Sequence, residues 1–364
     1  MSLSFEITSE QDDRAIADLR SRLYAARTLI PRGFEAYFLK RARYRSVHTS
    51  TVIEGNRLSE DEAVAALVDG SDSTNTDVLM LQNLDSAYDL VQQIAEDRSV
   101  RIDEGLIRAM NSVILRGLPA ANSRGRYRLG PSLIVNSQTR QVRYRPPAPE
   151  LVPSLMASLV EEVQRWIDAD TYAGPVVATM AHFGLVSVHP FDDGNGRTAR
   201  LLADMILQRT GWSGDGTLSV SGAILDMQQE YYDVLLATQG QDFVARIDVT
   251  PFVEFHTRAL VQAATGLEEM AVSFNQRIHQ WMDHVGQAVH HRQALAFMWM
   301  LDVAPLSTTI YAELTGTSAS SALADLGEMV QKGWVERAGK GRNTRYRATP
   351  AFANEFGRFG QQGT

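Results

Sequence analysis

Helical periodicity is the feature that most limits the folds open to this sequence. Apolar residues recur at every third or fourth position through several long segments, which places them on one face of an α-helix. Ser59 and Glu62 match the capping box that opens a helix, and Gly55 and Gly70 stand where helices commonly end. The pattern predicts helices over Ala36–Glu54, from Ser59 to near Gly70, and over Asp77–Glu96, Leu151–Ile167, Pro175–Val188, Thr198–Arg209 and Pro251–Ala264.

Two stretches depart from this helical pattern. Ser132–Arg145 alternates short β-branched stretches around a polar turn and stops at two prolines, which predicts a β-hairpin. After about His290, three short helical segments precede two strand-like segments joined by a Gly/Lys/Arg turn, an order typical of a winged helix. We therefore expect a mainly α fold with an N-terminal helical region over 1–115, a catalytic core over 116–286 and a winged-helix-like domain over 287–364.

Composition narrows the classes of protein that the chain can belong to. The 364 residues include no cysteine, which excludes disulfides, thiolate metal sites and cysteine nucleophiles. The N-terminus carries acids and lacks the apolar stretch of a signal peptide. The longest purely apolar run, Ala294–Leu301, is far too short to span a membrane. We expect a cytoplasmic protein with no membrane partner.

The densest chemistry lies in His189–Arg200, with the sequence HPFDDGNGRTAR. Its Gly-Asn-Gly segment predicts a flexible turn that leads into a helix, and the exposed N–H groups at a helix start bind anions. Arg197 and Arg200 are three positions apart and share one face of that helix, where two guanidinium groups can clamp phosphate oxygens.

Two further side chains in the motif complete a set for phosphoryl or nucleotidyl transfer. Asp193 offers the oxygen ligand that Mg²⁺ takes when it bridges a polyphosphate. His189 can accept a proton near neutral pH, because a histidine has an ordinary pKa of about 6.5. Each residue alone is more often structural, and it is their coincidence in one short segment that indicates a site.

The motif fits the pattern H-x-F-x-(D/E)-G-N-G-R-x-x-R at every specified position, and the chain resembles the Fic family. His182 stands seven residues before the motif, as in the helix that leads into it in the family. Tyr144-Arg-Pro-Pro147 resembles the end of the family's flap hairpin, and Ser221 and Tyr231-Tyr232 resemble the segment beside the nucleotide base. The resemblance covers roughly residues 30–265 and implies a Fic-type helical bundle with a small β-hairpin flap.

The resemblance implies a protein adenylyltransferase that moves AMP from ATP onto a Ser, Thr or Tyr hydroxyl of a target protein. His189 would take the proton from that hydroxyl, and Asp193 would hold Mg²⁺. The nucleotide-binding residues would be Gly194, Asn195, Gly196, Arg197, Arg200 and Tyr232, with Arg200 at the γ-phosphate. The flap residues that align the target would be Leu133, Ile134, Val135 and Tyr144.

A second motif upstream points to an inhibitory contact. Ser50 and Glu54 are four residues apart and share a helix face, and the helix dipole disfavours an anion at the position of Glu54. On the residues alone, the partner of this carboxylate is Arg57 or water. The segment also resembles the family's inhibitory motif (S/T)-x-x-x-E-(G/N), which implies that Glu54 pairs with Arg200 and blocks the γ-phosphate. The same carboxylate could activate water to remove AMP again.

Other functions stay open at the level of sequence. Lys332–Arg347 carries six basic residues against Glu336 alone, so the chain could be a winged-helix DNA-binding regulator with a Fic sensor domain. The candidate recognition helix Ser318–Met329 carries acids and no Lys or Arg, which favours docking to a protein over DNA. The same fold could transfer UMP, phosphocholine or phosphate. The target, self-modification and a homodimer are left undecided.

Overall fold

A computed structural model describes residues 2–8, 12–70, 73–135, 139–218, 220–286, 289–341 and 344–356. Within these residues the chain forms fifteen α-helices, which confirms the predicted mainly α class. The helices are α1 (Asp12–Leu29), α2 (Glu35–Ile53), α3 (Glu60–Asp69), α4 (Thr76–Glu96), α5 (Glu104–Ile114), α6 (Val152–Asp168), α7 (Gly174–Val188), α8 (Asn195–Arg209), α9 (Val220–Asp226), α10 (Gln228–Gln239), α11 (Thr250–Val285), α12 (His291–Asp302), α13 (Thr308–Thr315), α14 (Ala319–Gln331) and α15 (Pro350–Phe356). None of these helices combines the length and the apolar character that crossing a membrane requires.

The described strands pair into three small sheets. They are β1 (Ser4–Glu6), β2 (Ile134–Val135), β3 (Val142–Tyr144), β4 (Arg246–Asp248), β5 (Val335–Ala338) and β6 (Arg345–Ala348). Strands β2 and β3 form the predicted antiparallel hairpin, with Ile134 opposite Tyr144; the turn residues 136–138 lie outside the described residues. Strands β5 and β6 form an antiparallel hairpin after α12–α14, and β1 pairs parallel with β4. The expected order of helices followed by a hairpin is therefore present in the C-terminal segment.

Helix α11 is much longer than the sequence pattern predicts. The prediction ended this helix at Ala264, but it continues to Val285 and has 36 residues, a length of about 54 Å. It continues because its buried stripe goes on past Ala264 through Leu267, Ala271, Phe274, Ile278 and Trp281. These five side chains pack against the C-terminal helices in a second hydrophobic core.

Helix α2 contributes to both hydrophobic cores. Val47 and Ile53, in its second half, belong to the first core, which α4–α8 and the start of α11 also build. Tyr37, Phe38 and Tyr44, in its first half, belong to the second core, with side chains of α11–α14. The helix that carries the predicted inhibitory motif is thus fixed at one end by the C-terminal segment.

A buried ion pair joins three helices in the second core. Arg277 of α11 donates two hydrogen bonds to Asp302 at the end of α12, at 2.7 and 2.6 Å. Tyr37 of α2 donates its hydroxyl hydrogen to the same carboxylate. The Asp302 side chain is fully excluded from solvent. Burial alone would raise the pKa of Asp302, but hydrogen bonds and charge from Arg277 hold it below its usual range.

We expect Arg277→Met to lower the free energy of unfolding by about 3–5 kcal/mol, because it leaves Asp302 buried without its cation. Urea denaturation of the full chain measures this loss. The matched control is Arg258→Met, which removes an arginine from the same helix. Arg258 pairs with Glu230 at a half-exposed surface site, where a pair contributes about 0–1 kcal/mol. Equal losses in the two variants would contradict a structural role for the buried pair.

Candidate active site

His189 is held at the end of the most deeply buried helix of the core. Every residue of α7 is buried, and His189 ends the helix with its backbone N–H bonded to the Leu185 carbonyl oxygen at 2.9 Å. Its φ of 49° lies in the left-handed region, which is uncommon for a residue other than glycine. Burial is the main effect that lowers the pKa of His189 to about 4; a hydrogen bond to the Val186 backbone opposes this shift, and the charge of Arg128 adds to it. The imidazole is therefore neutral at pH 7 and free to accept a proton.

The segment after His189 is a fixed turn, which corrects the expectation of a flexible one. The Asn195 amide donates to the Phe191 carbonyl oxygen and accepts from the Phe191 N–H, both at 2.9 Å. Asn111 of α5 donates to the carbonyl oxygen of Asp193 at 2.9 Å. Gly194 has a φ of 78°, and an added Cβ would lie 3.0 Å from the Asn111 amide nitrogen. Side-chain bonds and a glycine-only backbone conformation therefore hold the turn in one shape.

Helix α8 begins at Asn195, three residues before the predicted start, so Asn195 and Gly196 already belong to its first turn. The first N–H groups of a helix have no partner within it and attract anions. Arg197 is buried beside them and donates to Asp193 at 3.0 Å. Its Nε and Nη1 atoms are also buried, and the described residues offer them no hydrogen-bond partner. Such orphaned donors at a helix start fit the oxygens of a phosphate group.

Arg200 lies one turn further along α8 and contacts the end of α2. Its Nε and Nη2 atoms donate to the Ser50 hydroxyl and carbonyl oxygens, both at 2.9 Å. Nη2 also donates to Glu54 Oε1 at 2.8 Å, in an ion pair whose arginine side chain is almost completely buried. Charge and hydrogen bonding from Glu54 raise the pKa of Arg200 despite its burial. Ser50 and Glu54 together satisfy a guanidinium group that is closed off from water.

The Glu54 carboxylate also lies over the start of α8. A Cβ added to Gly196 would lie 2.2 Å from Glu54 Oε1, so only glycine leaves room for this carboxylate. Burial would raise the pKa of Glu54, but Arg200 and Arg197 hold it below its usual range. An anionic side chain thus occupies the region where the helix start and two arginines would receive an anionic ligand.

Asp193 can supply one ligand to a metal ion whose other ligands do not come from this protein. Its side chain is 46% exposed, and Oδ1 accepts hydrogen bonds from Arg197 and from the Gly194 N–H. In the part of the chain that the structure describes, no three His, Cys, Asp or Glu side chains are grouped to hold a metal. A single open carboxylate fits Mg²⁺, which usually takes one or two protein carboxylates and completes its shell with phosphate oxygens and water.

The remaining predicted nucleotide-binding residue, Tyr232, faces the end of α2. Its hydroxyl donates to the carbonyl oxygen of Ile53 at 3.3 Å, next to Glu54. The neighbouring Tyr231 is buried, and its hydroxyl lies 3.1 Å from Nε2 of His182. His182 is thus a core histidine, and Tyr232 borders the same corner of the site as the Glu54 carboxylate.

The flap hairpin divides into an exposed edge and a buried base. Leu133 and Val135 are 54% and 40% exposed, and Ile134 between them is half-buried. Tyr144 is buried and donates its hydroxyl hydrogen to the Ser187 carbonyl oxygen at 2.8 Å. Tyr144 thus anchors the flap to α7, and the role of the flap residues in aligning a target stays a prediction.

The sequence pattern did not indicate Arg128 as a site residue, because it stands among six arginines in a stretch that resembles a solvated surface. The structure buries it beneath the segment that begins at His189. Its Nε donates to the His189 carbonyl oxygen at 2.8 Å, and its Nη2 donates to the Pro147 carbonyl oxygen at 2.5 Å. Nη1 donates to the Gly130 carbonyl oxygen at 3.0 Å. One guanidinium group thus ties both ends of the flap to the backbone of His189.

Comparison with known proteins confirms the resemblance to the Fic family. Residues 101–207 match the model described as the Fic/DOC family, and residues 288–349 match one described as Transcriptional regulator DIP2311-like, C-terminal domain. The crystal structure of a Fic family protein from Desulfovibrio desulfuricans G20 is similar, with a TM-score of 0.58 and 27% sequence identity. The similarity covers 94% of this chain and 97% of that one.

Two of the curated relatives are animal proteins named as protein adenylyltransferases. The protein adenylyltransferase Fic of Drosophila ananassae is 38% identical over 109 residues, which are 28% of this chain and 19% of that protein. The protein adenylyltransferase fic-1 of Caenorhabditis briggsae is 37% identical over 133 residues, 34% of this chain and 22% of that protein. The chain thus spans about a fifth of the length of the curated relatives that it matches.

We expect the imidazole of His189 to titrate near pH 4 and to titrate at higher pH in Arg128→Met, because the variant removes a nearby positive charge. NMR titration of histidine ring protons measures both pKa values, and the signal missing from His189→Ala assigns the resonance. Arg124→Met is the control, since Arg124 is exposed in the same basic stretch. An unchanged pKa in Arg128→Met would contradict the electrostatic contact.

Proposed function

We propose that this chain, whose residues 101–207 match the Fic/DOC family, transfers AMP from ATP to a hydroxyl side chain of a protein. The observation that carries this proposal is the pair of buried Arg197 nitrogens without a partner at the start of α8, in the same short segment as a histidine that is neutral at pH 7. An anion site adjoining a proton acceptor suits nucleotidyl transfer. The adenylyltransferase names of the relatives support it, although the match spans only part of their length.

Each residue of the site has a distinct task in this reaction. The N–H groups at the start of α8 and the free nitrogens of Arg197 would orient the phosphates of ATP. His189 would accept the proton of the target hydroxyl as its oxygen attacks the α-phosphorus and pyrophosphate leaves. A magnesium ion held at Asp193 would supply positive charge that offsets the charge developing on the pyrophosphate.

The exposed edge of the flap would present the target hydroxyl to His189. Leu133 and Val135 are the open positions of this edge, and an extended segment of another protein can add to a strand edge by backbone hydrogen bonds. Arg128 and Tyr144 fix the base of the flap to the backbone of α7 and His189. A bound target segment would thus be held at a set distance from the base.

In this arrangement Glu54 acts as an inhibitor built into the chain. Its carboxylate accepts a hydrogen bond from Arg200, which would otherwise bind the γ-phosphate. It also lies against Gly196, where the rest of the phosphate chain would otherwise bind. ATP can then bind productively only after the end of α2 moves away from α8. When AMP is already on a target, the same carboxylate would be placed to activate water for the reverse reaction.

A DNA-binding regulator is the second candidate function, and the match to a domain of a transcriptional regulator favours it. Helix α14 offers little for reading bases, because its exposed surface includes Ser320, Leu323 and Ala324. Its carboxylate Asp325 pairs with Arg292 of α12, within the C-terminal segment. We therefore favour a protein as the partner of this segment. A gel-shift assay with duplex DNA at low salt decides between DNA and protein as the partner. A saturable shift would favour DNA.

We expect His189→Ala to reduce AMP transfer by about 10²–10⁴-fold, the usual contribution of a general base. The assay offers ATP, UTP and GTP labelled at the α-phosphate to the full chain and to candidate target proteins. ATP binding should persist, because His189 acts on the attacking hydroxyl. His279→Ala is the control, since His279 is an exposed histidine on α11. Undiminished labelling by His189→Ala, or a clear preference for UTP or GTP, would contradict the proposal.

We expect Glu54→Gly to raise AMP transfer, self-labelling included, by about tenfold or more. Losing a charge-assisted pair changes the free-energy difference between the unproductive and the productive pose of ATP by about 1–3 kcal/mol. Glu54→Gln should give a smaller increase, since its amide oxygen can still accept from Arg200. Arg200→Ala should be inactive with or without Glu54, as it removes the γ-phosphate anchor. Melting temperatures show whether any variant is merely unfolded. Labelling by Glu54→Gly at the parent level under saturating ATP would disprove the inhibitory role.

A further inference from the structure

A large cavity lies beside the inhibitory helix and apart from the nucleotide site. It has a volume of about 690 Å³, within the range of about 300–1,000 Å³ that is usual for small-molecule sites. Its walls come mainly from α2, α4, α8 and α13. None of the residues proposed to bind ATP or Mg²⁺ lines it.

Negative charge predominates in the lining of this cavity. Two basic side chains, Lys40 and Arg43, face five carboxylates. Lys40 pairs with Glu313, and Arg43 pairs with Asp85 and Asp89, at 2.6 and 2.9 Å. The described basic side chains of the wall are thus already engaged by acids.

Asp204 of α8 is the carboxylate in this lining that lacks a cation. Among the described residues it forms no ion pair, and its hydrogen bond is with the neutral hydroxyl of Tyr88. Burial raises the pKa of Asp204 to about 7, because nothing charged within hydrogen-bonding distance compensates the carboxylate. A partly buried carboxylate that lacks an ion-pair partner and lines an open cavity is a strong site for a positively charged group.

Apolar and aromatic side chains line much of the rest of the cavity, together with uncharged polar residues such as Gln92 and Gln208. The apolar and aromatic side chains include Leu39 and Tyr44 of α2, Leu207 of α8 and Leu218. We propose that the cavity binds a small organic cation, a primary amine carried on an apolar or aromatic body, with its ammonium group paired to Asp204. The body of such a ligand would replace water along the leucine side chains, and its positive charge would offset the negative charge of Asp204.

The cavity and the inhibitory contact share two helices. Helix α2 contributes Leu39, Lys40 and Arg43 to the cavity and carries Glu54 at its end. Helix α8 contributes Asp204 to the cavity and carries Arg200 one turn earlier. The cavity has its present shape while Glu54 and Arg200 are paired, so a ligand that fits this shape favours the paired state. The amine would thus act as an inhibitor, an effect that rests on the function proposed above.

Calorimetric titration of the full chain with tyramine and with cadaverine tests the site. We expect Kd values of about 1 mM or tighter for at least one amine, and no binding of 4-hydroxyphenylacetate, which carries the same ring as tyramine with the opposite charge. Asp204→Asn should weaken binding by about tenfold or more, since it keeps an acceptor for Tyr88 but removes the charge. Asp283→Asn, at an exposed position of α11, should bind normally.

Leu39→Trp provides a second variant that narrows the cavity and leaves Asp204 in place, so the test survives if Asp204→Asn does not fold. It should weaken amine binding as well, since Leu39 is partly exposed and can accept a larger ring without disturbing the core. Failure of both amines to bind would overturn the proposal, and so would equal binding of the carboxylate or full binding by both variants.

The coupling to Glu54 is measured by binding alone, so it can be tested even if no AMP transfer is found. Amine affinity should be severalfold weaker in Glu54→Gly than in the parent chain, because the paired state is no longer favoured. By reciprocity, the same amine should weaken ATP binding to the parent by a similar factor and leave Glu54→Gly unaffected. Equal amine affinity in the parent and in Glu54→Gly would overturn the coupling.

Discussion

The buried guanidinium group of Arg200 is the constraint on which the site depends. A charge removed from water is costly unless hydrogen bonds and an opposite charge surround it. Here Ser50 gives two oxygens and Glu54 gives a carboxylate, so α2 must end against α8 for the charge to be tolerated. In the function proposed above, the γ-phosphate of ATP is the other anion that would fill this role. In the proposed function, a side chain and a nucleotide would therefore compete for one buried cation.

The sequence predicts much of this site, because most of its residues lie in two short segments whose local structure follows from residue spacing. The segment from His189 to Arg200 fixes a helix end, a turn and a helix start, and the structure forms all three within a few residues. The spacing of Ser50 and Glu54 places both on one face of α2, and the structure brings that face to Arg200. Short-range periodicity also predicts most of the core helices and the flap hairpin.

The parts that the sequence does not predict depend on contacts between distant segments. Arg128 looks like one of several surface arginines, and only the folded chain shows that it lies beneath His189. Tyr144 fits the alternation of an exposed strand, yet it turns inward to the Ser187 carbonyl oxygen. The continuation of α11 past Ala264 is fixed by a second core whose other half lies at the C-terminus. In each case the deciding partner is far away in sequence.

The length of α11 limits how such a chain can be assembled during evolution. Domains that move between genes usually join through exposed linkers with few contacts across the boundary. Here the first half of α11 packs in the first core and the stripe from Leu267 to Trp281 packs with α12–α14, so one continuous helix belongs to both. A recombination event at the end of α11 would leave that stripe uncovered, and one in its middle would have to preserve helical phase. The C-terminal segment and the second half of α11 are therefore expected to be inherited together, as a single exchangeable unit.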